Sequence, residues 1–325
     1  MTRPRLLFAG LLLLSASVLV VALLSGSAQI SANEAWLSLS GDAAENIHSL
    51  VFDLRMPRAL TAYAVGGLLA VAGVLMQVLL RNPLAEPYIL GTSGGAAVAA
   101  LLGMMLGWGA VWIDVAAFGG ALAATLIVFT IAQGTGSWTP TRLLLTGVVL
   151  AAGFSATTTL LLALSPDQNL RGMLFWLMGD LSYSYSPQRI LWLLAVLTLA
   201  GVAAARHLDV LSRGDLPAAI LGLPVTPVRL TIFAVTSLAT AVSVTAVGVI
   251  GFVGLVTPHL IRLVAGSKHR VLIPAAALAG GSLLVVADTL ARTILAPRQL
   301  PVGALTAAIG VPLFLILMNR GRSPT

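Results

Sequence analysis

Residues 58–80 read RALTAYAVGGLLAVAGVLMQVLL, and no charged residue falls between Arg58 and Arg81. A helix needs about 20 mostly apolar residues to cross the hydrocarbon of a bilayer. Water is absent there, so backbone N–H and C=O groups must bond to one another, and a segment of this kind has to be helical. Its glycines belong to a chain-wide total of 32, a composition suited to close helix–helix approach in lipid.

The same ruler, moved outward in both directions, predicts further spans near residues 6–24, 88–106, 115–133, 143–164, 190–205, 228–248, 272–291 and 302–319. A shorter apolar piece, 252–264, is interrupted by Pro258 and reads as a short or broken helix, bringing the crossings to about ten. Composition agrees. Hydrophobic residues make up 58% of the chain and charged residues 9%, against about 25% charged in a soluble domain. The fold class expected is an all-α polytopic membrane protein. The first apolar run follows Arg3 and Arg5; it is long enough to span, and reads as an uncleaved helix rather than a signal peptide.

There is no Cys, which excludes disulfides, thiolate metal sites and thiol catalysis. The net charge of +7 would suggest nucleic acid in a soluble protein; here it reads as basic anchoring of loops at a membrane, with no nucleic-acid partner. Placing the N-terminus inside puts 12 of the 18 Lys and Arg residues on inner ends and loops. The outer side receives Arg55, Arg58, Arg171, Arg189, Arg292 and Arg298. The excess of basic residues favours both termini in the cytoplasm. An outer segment, 25–57, and an inner one, 206–229, are long enough to hold structure of their own. In the inner one, residues 216–223 suit one or two short helices lying on the membrane as a docking surface. Leu60-Thr61-Ala62-Tyr63-Ala64-Val65 in an inward-running span echoes Leu230-Thr231-Ile232-Phe233-Ala234-Val235 in an outward-running one, as inverted repeats of transporters do.

The chain's one lysine, Lys268, is not in a G-x-x-x-x-G-K-[ST] loop, so any ATP must be bound by another chain. Arg55-Met56-Pro57-Arg58 sets two arginines at the outer end of the second span, with Pro57 fixing a turn. Asp288 is an ionisable residue in an apolar span, and Arg292, four residues on, is its natural partner. His259 follows Pro258 and reads as a cap for backbone groups freed there. Gly91-Thr92-Ser93-Gly94 could be the nucleophile motif of an intramembrane serine protease with His259 as base, or a set of small residues for tight packing.

Longer strings carry a resemblance. Arg55-Met56-Pro57-Arg58, Gln77, then Arg81-Asn82-Pro83-Leu84-Ala85-Glu86-Pro87-Tyr88-Ile89-Leu90-Gly91 resemble the permease family of iron-siderophore, haem and cobalamin ABC importers. Gly251-Phe252-Val253-Gly254-Leu255-Val256-Thr257-Pro258-His259 with Arg262, His269-Arg270, Asp288 with Arg292, and Leu300-Pro301-Val302-Gly303 continue the likeness in order to the C-terminus. The resemblance implies a type II importer permease, one transmembrane domain over residues 1–325 with about ten helices, working as a homodimer in the bacterial inner membrane. It implies two ATP-binding cassette subunits on the cytoplasmic side and a periplasmic substrate-binding protein. It also implies that ATP and Mg sit on the partner subunits, with no cofactor, metal site or catalytic residue in this chain.

By the same resemblance, Arg55, Arg58 and Arg292 match arginines that dock the binding protein. Gly214, Asp215, Ala218, Leu221 and Gly222 match the loop that couples to the ATPase, within residues 206–229. Two departures stand out: Ser267-Lys268 where an Asp often precedes His-Arg, and Gln299 where a Glu usually precedes Leu-Pro. Asn82, Leu84 and Thr141 lie on inner loops beside spans and are candidate gate residues. The cargo implied is haem, an iron-siderophore or cobalamin. The alternatives from the residues themselves are an ion-coupled secondary transporter and the intramembrane serine protease.

Overall fold

A computed structural model describes residues 2–26, 28, 30–40, 44–134, 139–182 and 187–320. Its elements are α1 (Thr2–Leu24), α2 (Ala32–Ser40), α3 (Glu45–Ser49), α4 (Met56–Leu80), α5 (Thr92–Met105), α6 (Ala110–Gln133), α7 (Pro140–Leu164), α8 (Asp167–Met178), α9 (Pro187–Ala203), α10 (Ala205–Leu211), α11 (Asp215–Ile220), α12 (Val225–Val247), α13 (Val253–Ala265), α14 (His269–Thr293) and α15 (Val302–Arg320). Among the described residues, six helices are long and apolar enough to cross a membrane by themselves. The pair α9–α10, bent by 63°, adds a seventh, and α5, α13 and most of α15 are shorter apolar helices. All ten predicted spans are therefore helical.

The predicted stretch at 58–80 lies at the centre. Almost every side chain of α4 is buried, and it packs against α9, α12, α13 and α14. Glycine permits this. A Cβ on Gly66 would collide with the Gly280 carbonyl of α14, and one on Gly280 would lie 2.6 Å from the Gly66 carbonyl. A Cβ on Gly73 would run into the Gly254 carbonyl of α13. Pro258, four residues on, has no N–H to give that Gly254 carbonyl, so the main chain of α4 lies against an acceptor its own helix leaves free. Polar ties add to this packing. Arg262 of α13 donates to Gln77 Oε1 at 2.7 Å, and Tyr63 donates to Ser15 of α1, which is 3.0 Å from Ser282 of α14. A second glycine crossing joins α5 to α6, where Gly95 and Gly120 each face the other's carbonyl. Outside this core, α7 buries only Leu143 and Gly147 and exposes Leu145, Val149 and Leu160, a face suited to lipid or to another subunit.

The echo between residues 60–65 and 230–235 extends into architecture. In each case a long helix is followed by an irregular link and then a short helix: α4, residues 81–91 and α5; α12, residues 248–252 and α13. The two links touch. Glu86 Oε1 accepts the Phe252 N–H at 2.7 Å, and Tyr88 Oη lies 3.4 Å from the Ile250 N. Phe252 has a left-handed backbone (φ 69°), which turns the chain into α13. At about 1.5 Å per residue, α5 and α13 are each shorter than the hydrocarbon is thick. Irregular backbone buried inside protein completes the distance, the one setting in which lipid tolerates it.

Two sequence expectations need correction, one alternative is settled, and one element was missed. Pro57 does not make a turn: α3, a widened π turn over Leu50–Arg55 and α4 form one continuous helix from Glu45 to Leu80. The wider turn absorbs the N–H that Pro57 lacks. Of the two alternatives for residues 252–264, short or broken, the structure has the short one: α13 runs unbroken through Pro258. His259 caps nothing among the described residues: its Nδ1 has no hydrogen-bond partner, and its ring meets Phe314 edge-on at 6.3 Å. Finally, α8 was not anticipated between the spans at 143–164 and 190–205. It is too short and too polar to register on a span ruler.

The glycine crossings are testable. Gly73→Ala should lower the melting temperature of the purified chain, since overpacking against rigid backbone costs typically about 1–3 kcal/mol. Gly119→Ala, where a Cβ would meet nothing within 4 Å, should leave it unchanged or raised.

Candidate functional site

The predicted site residues collect at opposite ends of the bundle. At the end read as inner, α4 stops at Arg81, whose left-handed backbone (φ 50°) ends the helix, and the Asn82 N–H returns to the Gln77 carbonyl at 3.2 Å. Asn82 Oδ1 then accepts the Leu84 N–H at 2.9 Å, folding 82–84 into a tight turn with Leu84 exposed. In the inner segment, the stretch 216–223 yields one short helix, α11; α10 precedes it and bends away from the end of α9. Gly214 (φ 119°) opens α11, and Gly222 (φ 78°) closes it. Ala218 is fully buried beneath, whereas Leu216, Ile220 and Leu221 are 73%, 76% and 65% exposed. Three large apolar side chains thus stand uncovered on a small surface.

Asp215 joins the two predicted sets. Its carboxylate lies 3.1 Å from Arg229 Nη1 on α12 and 3.6 Å from Arg81 Nη2, one residue before Asn82. Thr141 does not join them. It is exposed in the first turn of α7, where Thr139 caps the helix by accepting the Arg142 N–H. The absent acid before His269 has a substitute that sequence reasoning missed. Asp209 of α10 accepts the His269 N–H at 3.0 Å and lies 2.6 Å from its Nδ1. A carboxylate only accepts, so that nitrogen carries the proton. Asp209 thus caps α14 from 60 residues away, a contact with no local sequence signal.

At the opposite end, Arg55, Arg58 and Arg292 do come together, with their charges turned inward. Arg55 is 5% exposed and donates to the carbonyls of Leu23, Leu24 and Ala28. Arg292 donates to those of Ala22 and Ser25 at 2.6 and 2.9 Å. Both guanidinium groups therefore neutralise the C-terminus of α1, where carbonyls lack intrahelical partners and the helix dipole is negative. Arg58 grips Asp288 through Nη2 at 2.8 Å and Nε at 3.0 and 3.1 Å. Asp288 also lies 3.4 Å from Arg292, the pairing predicted from sequence, though Arg58 is the nearer partner. Only Arg58 reaches toward the surface, donating from Nη1 to Gln299 Oε1 at 3.0 Å. Arg55 and Arg292 are thus buried, and of the three arginines matched to docking only Arg58 presents an edge. Gln299, standing where a Glu was anticipated, here serves as a neutral acceptor.

Beside this cluster a cavity of about 1620 Å³ opens between α6, α8, α9 and the end of α12. In Gly91-Thr92-Ser93-Gly94, Gly94 sits against Phe154, and the next residue makes the crossing with Gly120, which is the packing alternative for this stretch.

The FecCD transport family model matches residues 11–320. The chain belongs to the FecCD transport family. It is 39% identical over 328 residues to the hemin transport system permease protein HmuU of Yersinia pestis, covering 98% of this chain and 97% of the relative. It is also 39% identical over 316 residues to the vitamin B12 import system permease protein BtuC of Shigella boydii, covering 96% and 95%. Among solved structures, this FecCD chain is similar to a metal-chelate type ABC transporter in an inward-facing conformation, with a TM-score of 0.84 and 29% identity over 98% of this chain and 99% of that one. PsaBC from Streptococcus pneumoniae shares the fold at a TM-score of 0.56 and 19% identity, over 84% and 94%.

The Arg58–Asp288–Arg292 triad yields a stability prediction. Asp288 is 1% exposed, and Asp288→Ala would leave two facing cations without their anion. Removing one partner of a buried ion pair costs about 3–5 kcal/mol. Thermal unfolding in detergent should show a large loss for Asp288→Ala and little change for Gln299→Ala. Equal melting temperatures would remove the triad from the account of stability.

Proposed function

We propose that this chain is the permease subunit of a binding-protein-dependent ABC importer, carrying a bulky metal chelate, haem or cobalamin across the bacterial inner membrane. It would work as a homodimer, with both termini cytoplasmic and the α11 end facing two ATPase subunits. ATP and Mg would reside on those subunits, and this chain would carry no cofactor and catalyse no bond change. The single observation that carries the reading is the ionic link from Asp215, in the segment matched to the ATPase coupling loop, to Arg81 at the head of the 82–84 turn. ATP-driven movement of α10–α11 would reach the inner mouth through that contact. The exposed Leu216, Ile220 and Leu221 would seat in the ATPase.

A periplasmic binding protein would dock at the opposite end. Arg58 would offer its outward edge, while Arg55 and Arg292 hold α1 and α14 firm beneath it. Secondary transport is less well supported: Asp288, the buried carboxylate within the spans that the sequence singled out, is already engaged by two arginines.

The test is reconstitution. Co-expressed with its P-loop ATPase, the chain should co-purify with it and show ATP-dependent uptake in proteoliposomes. Uptake driven by an ion gradient with no ATPase present would contradict the proposal. Asp215→Lys would set a third cation beside Arg81 and Arg229. It should spare ATP hydrolysis and reduce uptake by about tenfold, within the usual range of coupling between sites. Unchanged uptake per ATP would take Asp215 out of the coupling route.

A further inference from the structure

The six basic residues read on the outer side run against the usual inward bias of such charges. Three of them, Arg55, Arg58 and Arg292, are accounted for by bonds within the protein. The other three, Arg171, Arg189 and Arg298, come from α8, from α9 and from the segment between α14 and α15, and all three line the cavity described above. None of them takes part in an ion pair among the described residues. Arg189 lies in the first turn of α9, where the helix dipole disfavours a cation, so its placement is not explained by helix stability. Arginines that merely snorkel to the membrane surface need not converge on one concavity from three elements.

The remainder of the lining is amphiphilic. Phe175 and Trp176 supply aromatic faces, and the Arg171 guanidinium stands 5.8 Å from the Phe175 ring centroid. Two carboxylates, Asp114 and Asp180, also face the space, so cations outnumber anions by three to two. Asp180 is partly engaged, accepting the Ser182 N–H at 2.8 Å. The volume of about 1620 Å³ exceeds the roughly 300–1,000 Å³ of pockets for drug-sized ligands.

We infer that this cavity is a selective binding site for bulky, apolar-bodied cargo bearing carboxylate groups, held by Arg171, Arg189 and Arg298. Guanidinium groups match carboxylates in a two-pronged geometry that lysine cannot reproduce, and the aromatic wall receives the apolar body. The inference rests on the import reading above and adds a selectivity to it: anionic cargo is preferred over neutral cargo of similar bulk.

The full-length chain in phosphatidylcholine nanodiscs provides the test, using tryptophan quenching by two probes. Iron(III) protoporphyrin IX carries two propionates, and cyanocobalamin is bulky without free carboxylates. The wild type should bind the porphyrin more tightly, and more weakly as salt is raised. The triple variant R171Q/R189Q/R298Q should lose about tenfold or more in porphyrin affinity while cobalamin binding is unchanged. The R171K/R189K/R298K variant, which retains charge, should recover part of the loss and guards against misfolding of the first. Equal porphyrin affinity in the wild type and both variants overturns the assignment, as does a wild-type preference for cobalamin. Loss of porphyrin binding in phosphatidylglycerol discs would give the arginines to lipid phosphates and overturn it too. ATP-driven uptake of either probe decides the import reading separately, because it does not depend on which probe the cavity prefers.

Discussion

The structure depends on how closely α4 lies against its neighbours. Without a hydrophobic drive between helices in lipid, association relies on packing and on backbone approach. At Gly66, Gly73, Gly254 and Gly280 there is no room for a Cβ, so main chain meets main chain. Contacts of that kind have one geometry and do not slide. α4 with α13 and α14 therefore forms a fixed wall, and the freedom needed for transport has to lie elsewhere.

In the proposed function, the ends of α4 are where this wall is connected to the partners. One end carries Arg58 and the paired carboxylate of Asp288, beside the cavity with its three further arginines. The other carries Arg81, bonded to Asp215 on the small helix that exposes an apolar face. Between them, the contact of Glu86 with the Phe252 N–H ties the link after α4 to the start of α13. The link after α4 and the link after α12 thus meet at their irregular segments, where backbone groups have no helix to satisfy them.

Much of this was legible in the sequence because the bilayer imposes a simple rule. Apolar length predicts spans, and the ten segments so marked are helices. The glycine content predicted close approach but not which glycines meet. Arg55, Arg58 and Arg292 were identifiable as a group, yet their inward direction was not, because rotation of a helix about its axis leaves no mark on an apolar run. The continuous helix through Pro57 was hidden because a π turn can absorb a missing N–H. The Asp209 cap on α14 and the convergence of Arg171, Arg189 and Arg298 join residues far apart in the chain, and only the fold brings them together.

The central claim is that α11 acts on the inner mouth through the Asp215–Arg81 contact, and a double-mutant cycle measures it directly. Uptake per ATP would be compared in proteoliposomes for the wild type, Asp215→Asn, Arg81→Gln and the double variant. The account predicts that each single change lowers the ratio and that the double change lowers it no further, as expected for residues acting through one bond. Independent, multiplying losses would contradict it.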